Sequence, residues 1–248
     1  MGLAVGGPQG SVSGLSGRRQ EKSKQENNQS MPPHMRLISI NVGAIRMIDF
    51  EGRTFRTGIF KSPVSGPVSV GRTKLEGDGQ ADLNSHGGVD KAVYLYPVEH
   101  YPFWRNALKE KIDEPGSFGE NLTTEGLLED AVCIGDTFEV GTTVVQVTQP
   151  RTPCYKLAAR FNRPDLPDRF LQTTKSGFYL RVLEPGQVTA DDRFSLCDQD
   201  SHPVSVSHVA NIYHSGLNDR QAIKDILENR SLSAEWRDAF EKRLSKSL

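Results

Sequence analysis

The residue best suited to chemistry is Cys154, in Gln149-Pro-Arg-Thr-Pro-Cys-Tyr-Lys156, directly after a strand-forming run. Proline fixes φ and disfavours helix just before itself, so Pro150 and Pro153 force an extended approach to the thiol. After Cys154 the apolar spacing turns helical. That puts the sulfur at a helix N-terminus, with Arg151 and Lys156 close in sequence. All three features favour thiolate, which acts as a nucleophile or a soft metal ligand. A small buried core thiol is the plainer alternative. Cys133, between apolar neighbours, and Cys197, at a strand end, read as structural.

Three other stretches stand out. In Ser85-His-Gly-Gly-Val-Asp-Lys-Ala92, His86 precedes Gly87 and Gly88, where the backbone can approach a ligand or take positive φ, and Lys91 follows. The alternative is a tight turn with an incidental histidine. The GxxxxGK[ST] phosphate loop and the GxGxxG dinucleotide turn are both absent. Phe118-Gly-Glu-Asn-Leu122 sets Glu120 and Asn121 between apolar positions, as a side-chain-capped turn would. In Phe60-Lys-Ser-Pro63, Lys61 follows a strand; taken singly it is a solvated lysine. His100, His202, His208 and His214 form no HExxH or other two-histidine metal pair.

These residues need a scaffold, and the chain divides into three parts. Residues 1–35 are rich in Gly, Ser, Gln, Asn and Pro, with no aromatic before Phe50, and read as a disordered leader. They lack the apolar stretch of a signal peptide. Two arginines and no acid in the first 20 residues leave a transit peptide open, and Met31 and Met35 leave a later start open. Residues 36–200 carry short apolar runs between Gly and Pro, which predicts a β-rich barrel or sandwich. Thr137–Val140 and Thr143–Thr148, around Gly141-Thr142, form the clearest hairpin. Helices are predicted at 98–112, 154–161 and 166–172. Residues 203–248 predict a small three-helix bundle, with Asn218 and Ser233 as N-caps.

Composition narrows the functions. The 248 residues carry 30 Lys+Arg and 31 Asp+Glu, a net charge of −1, which argues against a nucleic-acid or membrane coat. The longest apolar run, Ala92–Tyr96, is far too short to span a bilayer. Three cysteines without CxxC spacing read as reduced thiols in a cytoplasmic setting.

The combination is more specific than any one stretch. Lys61-Ser-Pro, Gly77-Asp-Gly-Gln-Ala-Asp82, His86-Gly-Gly with Asp90-Lys91, Tyr96-Pro with His100-Tyr101, Phe118-Gly-Glu-Asn-Leu122, Gly135-Asp136 and Gln149-Pro-Arg-Thr-Pro-Cys-Tyr-Lys-Leu157 occur in this order. From about Leu37 to Cys197 the chain resembles the MOSC family, named for the C-terminal domain of molybdenum cofactor sulfurase. Within it the chain resembles the YiiM-like subgroup that protects against hydroxylaminopurine and carries a C-terminal three-helix domain.

The resemblance implies a β-rich mixed α+β fold: a MOSC β-barrel with peripheral helices and a small three-helix bundle. It also implies bound molybdenum cofactor (molybdopterin), with Cys154 as the protein ligand to the metal. Soft thiolates suit such metals. The subgroup's lysine, histidine and cysteine match Lys61, His86 and Cys154. Arg151, Lys91, Gly87, Gly88 and Asn121 are expected cofactor contacts on physical grounds, since the cofactor carries a phosphate. The implied activity is reduction of small N-hydroxylated bases and amines. No FeS cysteine set, flavin fingerprint or haem motif is present, so a separate electron-transfer protein is expected. No nucleic-acid polymer or membrane is expected as a partner, and a homodimer is an option. The alternatives are a cofactor carrier, a sulfur carrier using a Cys154 persulfide and, least supported, a Cys–His hydrolase.

Overall fold

A computed structural model of the chain describes residues 1–4, 6, 34–82, 87–215 and 219–246. The chain divides into units Met1–Ser30 and Met31–Leu248, and every element lies in the second. Apart from Met1–Ala4, Gly6, His34 and Met35, the leader falls outside the described residues, as do His86 and Asn218.

Among the described residues twelve strands run as β1 (Arg36–Val42), β2 (Arg46–Phe50), β3 (Arg53–Thr57), β4 (Ser62–Val64), β5 (Val68–Val70), β6 (Val93–Pro97), β7 (Leu122–Glu125), β8 (Thr137–Val140), β9 (Thr143–Pro150), β10 (Phe178–Glu184), β11 (Gly186–Val188) and β12 (Ser195–Asp198). Eight of them form one curled half-barrel sheet, in the order β12-β8-β9-β10-β6-β7-β1-β4. Only the β6–β7 pairing in it is parallel. β5 pairs with β11, and β2 with β3.

The apolar run noted in the sequence is the core of β6, buried along its whole length. A strand covered on both faces needs no polar alternation. The period of two still sorts its side chains. Val93 and Leu95 enter one hydrophobic core, and Tyr94 and Tyr96 enter a second, aromatic one. In the second core Trp104 stacks on Phe170 at 4.1 Å between ring centroids. Each such buried ring contributes about 1.5–3 kcal/mol through its apolar area. The hairpin expected at 137–148 is β8–β9, with Val140 opposite Thr143 and Gly141 at φ 58°.

Among the described residues the helices are α1 (Tyr101–Leu108), α2 (Tyr155–Phe161), α3 (Leu166–Leu171), α4 (Val206–His214), α5 (Arg220–Glu228) and α6 (Ala234–Ser245). The helix expected at 98–112 is shorter. A 3₁₀ turn occupies Val98–His100, and Lys109 leaves α1 in the left-handed region at φ 57°. Ile112 kept the apolar rhythm because it is buried in the aromatic core from beyond the helix end. Ser233 caps α6, accepting from Trp236 N at 3.3 Å. For α5 the cap is Asp219, which accepts from Ala222 N at 3.0 Å.

α4–α6 pack into the same core as the sheet: Val206, Val209, Ile223, Ile226, Trp236 and Phe240 join Val145, Val147 and Leu180. Among the described residues no helix is long and apolar enough to cross a membrane.

Candidate functional site

A cleft of about 630 Å³, including its open mouth, lies where β6, β7, β9 and β10 meet the loop before β4. β9 ends at Pro150, and Arg151 N still donates to Gly177 O at 3.0 Å beside β10. The chain then runs extended to Cys154, at φ −138° and ψ 176°, which opens α2. The two prolines account for that conformation. Cys154 and Lys156 are thereby set on the cleft wall with Arg151. From other elements come Lys61 ahead of β4, Lys91 from the 3₁₀ turn Val89–Lys91, Tyr94 of β6, Asn121 ahead of β7 and Tyr179 of β10. Gly58 and Gly79 form another part of the wall, back to back. A Cβ on Gly58 would sit 2.0 Å from Gly79 O, so no larger residue fits there.

The wall is strongly cationic. Lys61, Lys91, Arg151 and Lys156 are all buried, and Asp78 is the carboxylate among them. Asp78 accepts from Lys61 Nζ, from Asn121 Nδ2 at 2.9 Å and from Gly43 N at 3.0 Å. Asn121 Oδ1 in turn accepts from Tyr94 N at 3.1 Å. Burial pushes the Lys61 ammonium below its usual range, against the pull of Asp78. Lys156 lies 3.6 Å from Asp82, and Lys91 pairs with Glu235 of α6.

Arg151 sits over two rings, with its guanidinium carbon 5.2 Å from the Tyr94 centroid and 5.7 Å from that of Phe170. Its Nη1 is buried without a hydrogen-bond partner among the described residues. Such a donor is costly unless a ligand meets it. Burial pushes the Tyr179 phenol up to about 12, partly offset by Arg151, so it stays a neutral donor. The half-buried Cys154 sulfur shares the cleft wall with these donors.

Of the residues singled out in the sequence, Lys61, Lys91, Asn121, Arg151 and Cys154 come together in this wall. Asn121 acts there mainly as a bracket between Asp78 and Tyr94. Gly87 and Gly88 are not in the wall. Gly88, at φ 90°, shapes the turn that delivers Lys91. His86 lies outside the described residues. Asp78, Tyr94 and Tyr179 carry no role in the sequence, and Lys156 only that of favouring the Cys154 thiolate. Asp78 was visible only as part of the Gly77-Asp-Gly run, and Lys156 only as a charge near Cys154.

The donor set suits a ligand with an anionic group and a thiophilic metal. Arg151 Nη1 and the lysines would meet a phosphate, and Cys154 a soft metal. The chain matches the MOSC domain over residues 82–195 and the YiiM-like, 3-alpha helix domain over residues 204–247. It is 42% identical over 212 residues to YflK of Bacillus subtilis (strain 168), covering 86% of this chain and 96% of that protein. It is 34% identical over 179 residues to a Gibberella moniliformis protein called "Reductase", covering 71% of this chain but only 32% of that protein. The crystal structure of YiiM from Geobacillus stearothermophilus superposes with a TM-score of 0.72 at 40% identity, covering 85% of this chain and 99% of that one.

Proposed function

The chain belongs to the MOSC family, in its YiiM-like branch, and on that premise we propose that it binds molybdenum cofactor in the cleft and reduces N-hydroxylated bases and amines. One observation carries the reading: a half-buried thiol shares its wall with four buried cations, one of which has an unmet donor. A relative called "Reductase" points the same way, for the third of its length that matches.

Cys154 would hold the metal, and Arg151, Lys91 and Lys156 the cofactor's phosphate. Molybdenum cofactor, when bound, supplies two-electron chemistry at an N–O bond. The overall conversion takes the N-hydroxyl compound, two electrons and two protons to the amine and water. A separate electron-transfer protein provides the electrons. Lys61, anchored by Asp78 on the wall, orients the hydroxyl oxygen or hands it a proton. His86, which immediately precedes Gly87-Gly88 in the sequence, is the second proton donor. Tyr179, with Tyr94 and Phe118 on the same wall, offers the substrate base an aromatic surface to stack on.

The test compares wild type with Cys154→Ala, both from a cofactor-producing host. Near-stoichiometric molybdenum and reduction of hydroxylaminopurine with an artificial reductant are expected of wild type, and neither of the variant at unchanged circular dichroism. Metal without turnover would make the protein a carrier. Absence of metal from both would sink the reading.

A further inference from the structure

Phe60 is flanked in sequence by Ile59 and Lys61, both on the cleft wall. Its ring carries two guanidinium groups. Arg46 of β2 lies 3.8 Å from the ring centroid and Arg160 of α2 lies 5.0 Å from it. Neither arginine has a carboxylate within ion-pair distance among the described residues, and Arg160 Nε is buried with no hydrogen-bond partner among them. Burial, with Arg46 nearby, pushes the Arg160 guanidinium below its usual range, although the carboxylates of Glu120 and Glu114 pull the other way from beyond ion-pair distance. The ring face and the more distant carboxylates of Glu120 and Glu114 offset only part of the repulsion between two like charges, and the unmet donor gains most from an anion placed directly against it. The chain as a whole carries a net charge of only −1, so this concentration of cations beside a cationic cleft is local. Arg160 stands one helical turn beyond Lys156, a displacement of about 6 Å along the axis, which a ribose bridges.

We propose that Arg46 and Arg160 form a phosphate-binding subsite beside the cleft, next to the Ile59 and Lys61 part of its wall, which takes the 5′-phosphate of a nucleotide whose base enters the cleft. A phosphate dianion matches two planar donor forks, whereas a carboxylate needs only one. The choice of a base-bearing ligand rests on the function proposed above; the phosphate subsite rests on the arginine pair. The preferred substrate is then an N-hydroxylated nucleotide rather than the free base.

Calorimetric titration with adenosine 5′-monophosphate and with adenosine tests this on the isolated full chain, with molybdenum content measured alongside. Wild type is expected to bind the monophosphate at least about tenfold more tightly than the nucleoside. Arg46→Gln and Arg160→Gln should each lose most of that preference without losing metal. Arg46 is exposed, so its variant decides the matter if Arg160→Gln fails to fold. No preference in wild type, including no binding of either probe, overturns the subsite. So does a preference that survives in Arg46→Gln. Metal lost from Arg46→Gln assigns the phosphate to the cofactor instead and also overturns it. Wild type without molybdenum counts against the reductase reading alone, because the preference for the monophosphate is read without turnover.

Discussion

Lys91 and Glu235 form an ion pair between the cleft wall and the first turn of α6, in which the lysine side chain is 9% exposed and the glutamate 61%. The neighbouring residues repeat the link. Asp90 accepts from Ala234 N at 3.1 Å and meets Arg181 at 2.8 Å. The C-terminal helices therefore brace the turn that carries Lys91. Glu235→Gln leaves a buried ammonium facing the cleft with one anion fewer. Its Tm should fall in phosphate-free buffer and recover more steeply than that of wild type as inorganic phosphate is added. Equal phosphate dependence of the two melting temperatures would show that Glu235 does not hold Lys91 against an anion.

Lys61 and Asp78 are both almost wholly buried, with side chains 7% and 3% exposed. Removing one partner strands the other, so Lys61→Met should cost about 3–5 kcal/mol. Adding Asp78→Asn should recover much of that loss, because the double variant strands neither charge of the pair. Additive losses in urea melts would refute the coupling. A pH signature accompanies it. The folded Lys61 ammonium lies below its usual value of 10.5, so the native state binds fewer protons than the unfolded chain in the window up to 10.5. Stability therefore rises with pH across that window. The difference between wild type and the double variant should show this slope, compared below pH 10 so that the tyrosines do not contribute.

Burial, with Asp136 nearby, pushes the Cys133 thiol up to about 11. At pH 8 only roughly one molecule in a thousand holds it as thiolate. In a Cys154→Ala, Cys197→Ala background, iodoacetamide labelling of Cys133 should be slow at pH 8 and climb about tenfold per pH unit toward 11. Labelling at the rate of an ordinary free thiol at pH 8 would contradict a half-buried, structural Cys133.

Local chemistry was legible where one short segment decides its own shape. The β8–β9 hairpin followed from β-branched residues around Gly141, and the cap of α6 from Ser233. The β2–β3 hairpin carries no such signal. Its turn puts Glu51 at φ 49° and Gly52 at φ 73°, and glutamate is not a residue that announces positive φ. Ile112 misled in the opposite way, since burial from a loop leaves the same apolar mark as burial from a helix.

What the sequence determined by itself is the set of reactive groups and their immediate backbone. The proline-framed approach to Cys154 and the glycines before Lys91 follow from φ/ψ restrictions acting within a few residues. Only the tertiary structure decided which of these groups meet. Asp78 reaches Lys61 across 17 residues and Asn121 across 43, and Ala234 reaches Asp90 across 144. Such contacts depend on strand order and on side chains packed into a shared core. Neither leaves a periodic trace in the chain, because a buried charge is paired by whatever the fold brings to it.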